Sequence, residues 1–191
     1  MSYDETSDPT LPTQGTAAQM WAWLQHHSTG LPVDEIVGAY WLCGDLAGID
    51  PLLAFAQAAH ETSFFTSWWF VANHNPAGIA VNGATSPVSK RGYYFDPNTA
   101  TYRAGRRYDS AVEGIAAQVG LLGVYCGEIS DIAYAARNGK PMKSHPCFGT
   151  VTQLRHLGAA HNPSGKGWAT PGENYGAKIA LIANGILQWQ G

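Results

Sequence analysis

The chain has 191 residues, 45% of them apolar and only 13% charged, with a formal net charge of −3. That length suits one domain with a real core and is short for two, and so little charge excludes a disordered chain. The net charge and the lack of any Lys or Arg run exclude nucleic acid and anionic membrane surfaces as natural partners.

The opening MSYDETSDPTLPTQG is acidic and polar, so residues 1–15 read as a flexible tail without the basic start and apolar core of a signal peptide. Synthesis in the cytoplasm is therefore expected, with any target outside the cell reached by another route. Thr16-x-x-Gln19 is a capping box opening a helix to about His27. A second helix runs from Val33 to Ala47. Asp50 as N-cap and Pro51 at the first helical position start a third, which ends near Thr62 and carries Glu61 in its last turn. Residues 71–89 read as loop. The segments 91–95 (RGYYF) and 101–108 (TYRAGRRY) bracket 96-DPNTA-100 and predict a small β-hairpin. Ser110-x-x-Glu113 is a second capping box, and Val112, Ile115, Val119, Leu122 and Cys126 share a face of the next helix. Shorter helices are expected near 130–138 and 150–157. The last helix, 174–189, aligns Tyr175, Ile179, Ile182, Ile186 and Trp189. The fold class is α+β, predominantly α.

The three cysteines, Cys43, Cys126 and Cys147, have no CxxC spacing and an odd count, which fits free thiols made in a reducing compartment. His145-Pro-Cys147 is too little for a metal site, and no metal or cofactor is expected. No segment approaches the length of a membrane span.

Fourteen acids are few enough to sort. Most fall in the N-terminal segment, in helix first turns or at caps, where a carboxylate has a structural task. Glu61 and Asp96 do not. Glu61 closes an alanine-rich helix and is followed by Phe64, Phe65, Trp68 and Trp69. An acid at a helix C-terminus opposes the dipole, and apolar neighbours raise its pKa, which is what a general acid needs. Asp96 opens an Asp-Pro-Asn turn, whose chemistry is also ordinary turn chemistry. His60-Glu61 does not begin a zincin motif, because Phe64 stands where H-E-x-x-H requires histidine.

The ordered segments 56-AQAAHETSFFTS-67, 75-NPAGI-79, 107-RYDSAVEGIAAQVGLL-122 and 174-NYGAKIALI-182 resemble bacterial and phage glucosaminidase domains, glycoside hydrolase family 73 of the lysozyme-like superfamily. The likeness spans roughly 33–189. It implies a single lysozyme-like catalytic domain over 16–191, with the hairpin as a lobe forming one cleft wall, and an endo-β-N-acetylglucosaminidase acting on peptidoglycan glycan strands as a metal-free monomer. It assigns the general acid to Glu61, the cleft-lining turn to Asn75, Gly78 and Ile79, and an active-site tyrosine to Tyr175. The family's second carboxylate on the β-lobe has no glutamate counterpart here. Asp96 takes that role, or the substrate's own N-acetyl group replaces it. Sugar faces stack on rings, so Phe64, Trp68, Tyr94 and Trp168 are candidate substrate contacts. A muramidase or lytic transglycosylase on the same fold, and a non-catalytic glycan-binding or phage structural module, are the alternatives. A compact bacteriolytic enzyme such as an endolysin or tail-associated lysin is the expected setting.

Overall fold

The computed structural model describes residues 2–80, 93–96, 101–137 and 139–189, with only the backbone course for 93–96 and 101–104. It is predominantly helical. Helices α1 (Ala17–His27), α2 (Val33–Ala47), α3 (Pro51–Glu61) and α4 (Trp68–Val71) precede strands β1 (Tyr93–Asp96) and β2 (Thr101–Ala104). Helices α5 (Ala111–Cys126), α6 (Asp131–Ala136) and α7 (Tyr175–Leu187) complete the order. Short 3-10 turns lie at Met142–Ser144 and Leu154–Leu157.

Local chemistry sets the helix starts. Thr16 and Gln19 close a reciprocal box at α1, and Asp50 accepts from the backbone N–H groups of Leu52 and Leu53 ahead of Pro51. At α5 only half of the expected box forms. Ser110 accepts from the Glu113 N–H, while the Glu113 carboxylate reaches back one residue further, to the N–H of Asp109.

The centre of the molecule is α3. Every residue from Leu52 to Ala59 is buried, as expected of a helix enclosed on all sides. It packs on α2, α5 and α7, and α2 in turn packs on α5. Its alanines Ala54, Ala56, Ala58 and Ala59 are small enough to let those neighbours come close. Gly114 performs the same service at the start of α5, where a Cβ would lie 1.8 Å from the carbonyl oxygen of His74. That contact presses α5 against the turn leading into residues 75–79.

β1 and β2 pair antiparallel, with Tyr94 opposite Arg103 and Asp96 opposite Thr101. The turn between them, 97–100, and residues 81–92 of the expected loop and hairpin lie outside the described residues. Past β2 the chain is fastened to the 73–79 segment: Arg106 N–H donates to Ile79 O at 2.8 Å and Tyr108 N–H to Asn73 O at 3.0 Å.

The N-terminal segment, read from composition as a flexible tail, instead lies along the helices. Tyr3 is buried, and its hydroxyl donates to Asp50 Oδ2 at 2.7 Å. Its backbone exchanges two 2.8 Å hydrogen bonds with the Asn184 side chain on α7. The carbonyls of Glu5, Ser7 and Pro9 accept from Arg155, Leu154 and Asp50. Polar composition misled because backbone groups, not apolar side chains, make most of these contacts. Tyr3→Phe removes one hydroxyl donor from the buried Asp50 carboxyl and is expected to cost about 1–3 kcal/mol in urea unfolding. A loss below about 0.5 kcal/mol, the usual range of surface changes, would show that the segment does not brace α3.

Candidate active site

α3 ends at Glu61 because the next four residues turn the chain away from the helix axis. Thr62 is fully buried; its hydroxyl donates to Ala58 O at 2.6 Å and accepts from the Phe65 N–H at 2.9 Å. Ser63, Phe64 and Phe65 then adopt left-handed backbone with φ of 49°, 59° and 64°. Such a conformation costs roughly 1–2 kcal/mol per non-glycine residue. It is held because Phe65 is fully buried against Phe55 and Phe70, with ring centroids 4.9 and 5.0 Å away. The Ser28 hydroxyl also fastens the Phe64 carbonyl.

The carboxyl of Glu61 opens into a cleft of about 450 Å³. The Ala77–Ala80 turn, Leu121 and Tyr125 of α5, and Trp168 with Ala169 complete its lining. Asn75, fully buried, holds the turn from inside. Its Oδ1 accepts from the N–H groups of Ala77 and Ile79, and its Nδ2 donates to the carbonyls of Ile79 and Arg106. Gly78 supplies the left-handed φ of 59° that the turn needs. Tyr125 and Trp168 meet as a tilted aromatic pair, 5.4 Å between centroids.

Tyr175 opens α7 directly behind the acid, and its hydroxyl donates a short hydrogen bond to Glu61 Oε1. Burial pushes the Glu61 pKa above the ordinary carboxylate range, opposed in part by that hydrogen bond. The negative end of the α3 dipole acts in the same direction as burial. Burial first, and then the facing Glu61 charge, pushes Tyr175 far up, so it stays a neutral donor. His60, whose ring meets Tyr175 edge-on at 5.4 Å, is pushed down by burial and then by Lys178.

Of the expected site residues, the structure brings Glu61, Tyr175, Gly78, Ile79 and Trp168 together, with Asn75 beneath them. Phe64 lies elsewhere. The left-handed turn sends Phe64 to α1, against Trp23 at 5.5 Å and His27 at 5.7 Å, and Trp68 meets Trp69 edge-on at 5.2 Å. Asp96 and Tyr94 are placed by backbone on β1, and their side chains lie outside the described part of the structure. Sequence reading missed Leu121 and Tyr125, one turn apart on α5 and off the apolar face it traced. A larger groove of about 710 Å³ lies between α1 and α2, lined by Trp21, Trp41, Asp34 and Asp45 among others. Its Asp34 sits in the first turn of α2 and accepts from Trp21 Nε1 at 2.9 Å. That is a structural task for an exposed acid, so chemistry, not volume, singles out the Glu61 cleft. Among the described residues no cluster of His, Cys, Asp or Glu is arranged to hold a metal ion, and no helix is long and apolar enough to cross a membrane.

A helical domain that presents one carboxyl of raised pKa at an aromatic-lined cleft has the make-up of a glycoside hydrolase. Residues 39–187 match the family model for glucosaminidase, described as mannosyl-glycoprotein endo-beta-N-acetylglucosaminidase, and the chain belongs to that family. Its fold is similar to the crystal structure of a catalytic mutant of S. aureus autolysin E in complex with the disaccharide NAG-NAM. The TM-score is 0.55 at 12% identity, over 97% of this chain and 73% of that one. A sequence search of curated proteins gives no match.

A carboxyl whose folded pKa is raised adds stability while protonated. That stability is complete below the unfolded pKa and is lost as pH rises through the folded one. Glu61→Gln is therefore expected to raise Tm at pH 7 relative to the parent and to show a smaller advantage at pH 4. An equal or lower Tm at pH 7 would show that the carboxylate is not held at a cost.

Proposed function

We propose that this glucosaminidase-family chain cleaves the β-1,4 glycan backbone of peptidoglycan as an endo-β-N-acetylglucosaminidase, with Glu61 as general acid. The observation that carries the reading is the Glu61 carboxyl, raised in pKa by burial and open to a cleft whose rings, Tyr125 and Trp168, suit the apolar faces of sugars. A glycosidic oxygen leaves poorly until protonated. Glu61 delivers the proton as the anomeric C–O bond breaks, and the sugar passes through an oxocarbenium-like transition state. The NAG-NAM disaccharide bound by the autolysin E mutant supports a peptidoglycan glycan as substrate.

The hairpin is the opposite wall of the cleft in this reading. Its base is tied to the cleft turn through Arg106 and Ile79. Asp96 on β1 is then the acid available to activate water, by inversion, at a carboxyl separation of roughly 6.5–9.5 Å. If Asp96 is silent, the substrate's N-acetyl group supplies the nucleophile. Tyr94 on β1 is the hairpin residue assigned to stacking in this reading. The protein acts as a monomer on the wall of a bacterium, as a lysin or tail-associated enzyme.

The test is digestion of purified peptidoglycan, borohydride reduction of the soluble products and mass spectrometry of the sugar ends. Reduced N-acetylglucosamine ends are expected. Glu61→Gln should lower the rate roughly 10²–10⁴-fold, the usual contribution of general acid–base catalysis. Asp96→Asn should fall in the same range if Asp96 is the base and stay near the parent rate if the substrate assists. Reduced muramic ends would mean a muramidase, and anhydromuramic ends a transglycosylase. Retained binding without soluble products would mean a glycan-binding module.

A further inference from the structure

Behind Glu61 the buried polar side chains form a chain whose direction is fixed. Gln118 on α5 and Gln57 on α3 are both essentially inaccessible to solvent. Gln118 Nε2 donates to the backbone carbonyl of Ala54 at 3.0 Å, and a carbonyl can only accept. The amide therefore has one allowed orientation, with Oε1 on the far side, where it accepts from the Tyr40 hydroxyl at 2.7 Å. The same Nε2 donates to Gln57 Oε1 at 2.8 Å. That contact turns Gln57 Nε2 toward the Tyr175 hydroxyl oxygen, 3.2 Å away. With its oxygen already accepting, Tyr175 has its one proton left for Glu61 Oε1, where the structure places it.

We propose that Gln118, Gln57 and Tyr175 are a positioning relay that commits Tyr175 as donor to Glu61 Oε1 and so confines the transferable proton to Oε2. The inference rests on the reading of Glu61 as general acid. Protonation of Oε1 would set two hydrogens against each other, and the relay gives Tyr175 no means of turning its hydroxyl round. When the Oε2 proton passes to the glycosidic oxygen, the carboxylate left behind keeps a donor already in place, which costs no reorganisation. Tyr175 is thus a positioning residue, engaged on both sides. Two fully buried glutamines are costly unless every amide has a partner, and each contributes at least one donated and one accepted bond to this chain. The other titratable groups around the pair, among the described residues, are Tyr125 from α5, His60 beside Glu61 and Lys178 one turn along α7. None of them joins the chain of hydrogen bonds.

The test reads the Glu61 carboxyl directly, by ¹³C NMR titration of glutamate-labelled protein, the resonance being identified by its loss in Glu61→Gln. Removing donors destabilises the carboxylate, so the midpoint should rise in Tyr175→Phe, less in Gln57→Met, and less again in Gln118→Met. Tyr40→Phe, which removes only the outermost donor, should move it least. On soluble wall-glycan oligosaccharides, the glutamine variants should lose roughly 3- to 10-fold in kcat with KM within about twofold, the pattern of a lost transition-state interaction. The high-pH limb of the rate should move up with the titration. An unshifted Glu61 midpoint in folded Gln57→Met and Gln118→Met overturns the relay. If the methionine variants do not fold, Tyr175→Phe and Tyr40→Phe, each lacking a single oxygen, decide it: unshifted midpoints in both overturn it as well. A parent protein inactive on every glycan would sink the hydrolase reading, and the titration would still decide the relay.

Discussion

One carboxyl group, kept largely out of water at the end of a helix, sets the terms for the rest of this molecule. A charged carboxylate in that position is unfavourable; burial raises its pKa, and the Tyr175 hydroxyl supplies it with a hydrogen bond. α3 is enclosed on all sides, which dries the site, and α7 must dock against α3 for Tyr175 to reach the acid. α5 contributes twice. One side of it supplies Gln118 to the relay and, further along, Leu121 and Tyr125 to the cleft. The helix packing and the chemistry are therefore one problem with one solution, because the same three helices form the core and hold the acid.

The cleft's other wall is built on different principles. It has little apolar mass and is held by backbone hydrogen bonds gathered on Asn75, with Gly114 allowing α5 to press up behind it. A buried amide that satisfies four backbone groups makes a turn stiff without a core of its own. Stiffness of that kind matters for a site that must receive an extended polymer, since the cleft must keep its shape while open to solvent.

Much of this was legible in the residues. The caps at Thr16, Asp50 and Ser110 are local devices that work within a few residues of chain, so the starts of α1, α3 and α5 can be read from spacing alone. Glu61 emerged because most other acids had a structural task. Tyr175 came from the resemblance of the NYGAKI segment, and its bond to Glu61 spans 114 positions of sequence, which no local pattern reveals. Phe64 was misplaced because nothing in an aromatic run announces three left-handed residues. Gln57 and Gln118 were passed over as polar positions, although Gln118 falls between Ile115 and Leu122 on the apolar stripe of α5. A glutamine in such a stripe is a signal that a buried amide has work there. The N-terminal segment was misread for the opposite reason, since its attachment rests on main-chain groups that composition does not register.

The stop just after Glu61 has an evolutionary consequence. Because α3 ends through backbone geometry at Ser63–Phe65, the negative end of its dipole stays at the carboxyl whichever side chains line the cleft. The dipole's contribution at Glu61 is thereby independent of the residues that line the cleft, whereas the contribution of burial is not. The Ala77–Ala80 turn, Leu121 and Trp168 can change without moving that end of the helix. Changes that let the helix run on past Thr62 would alter the field at Glu61 without touching any other residue that lines the cleft.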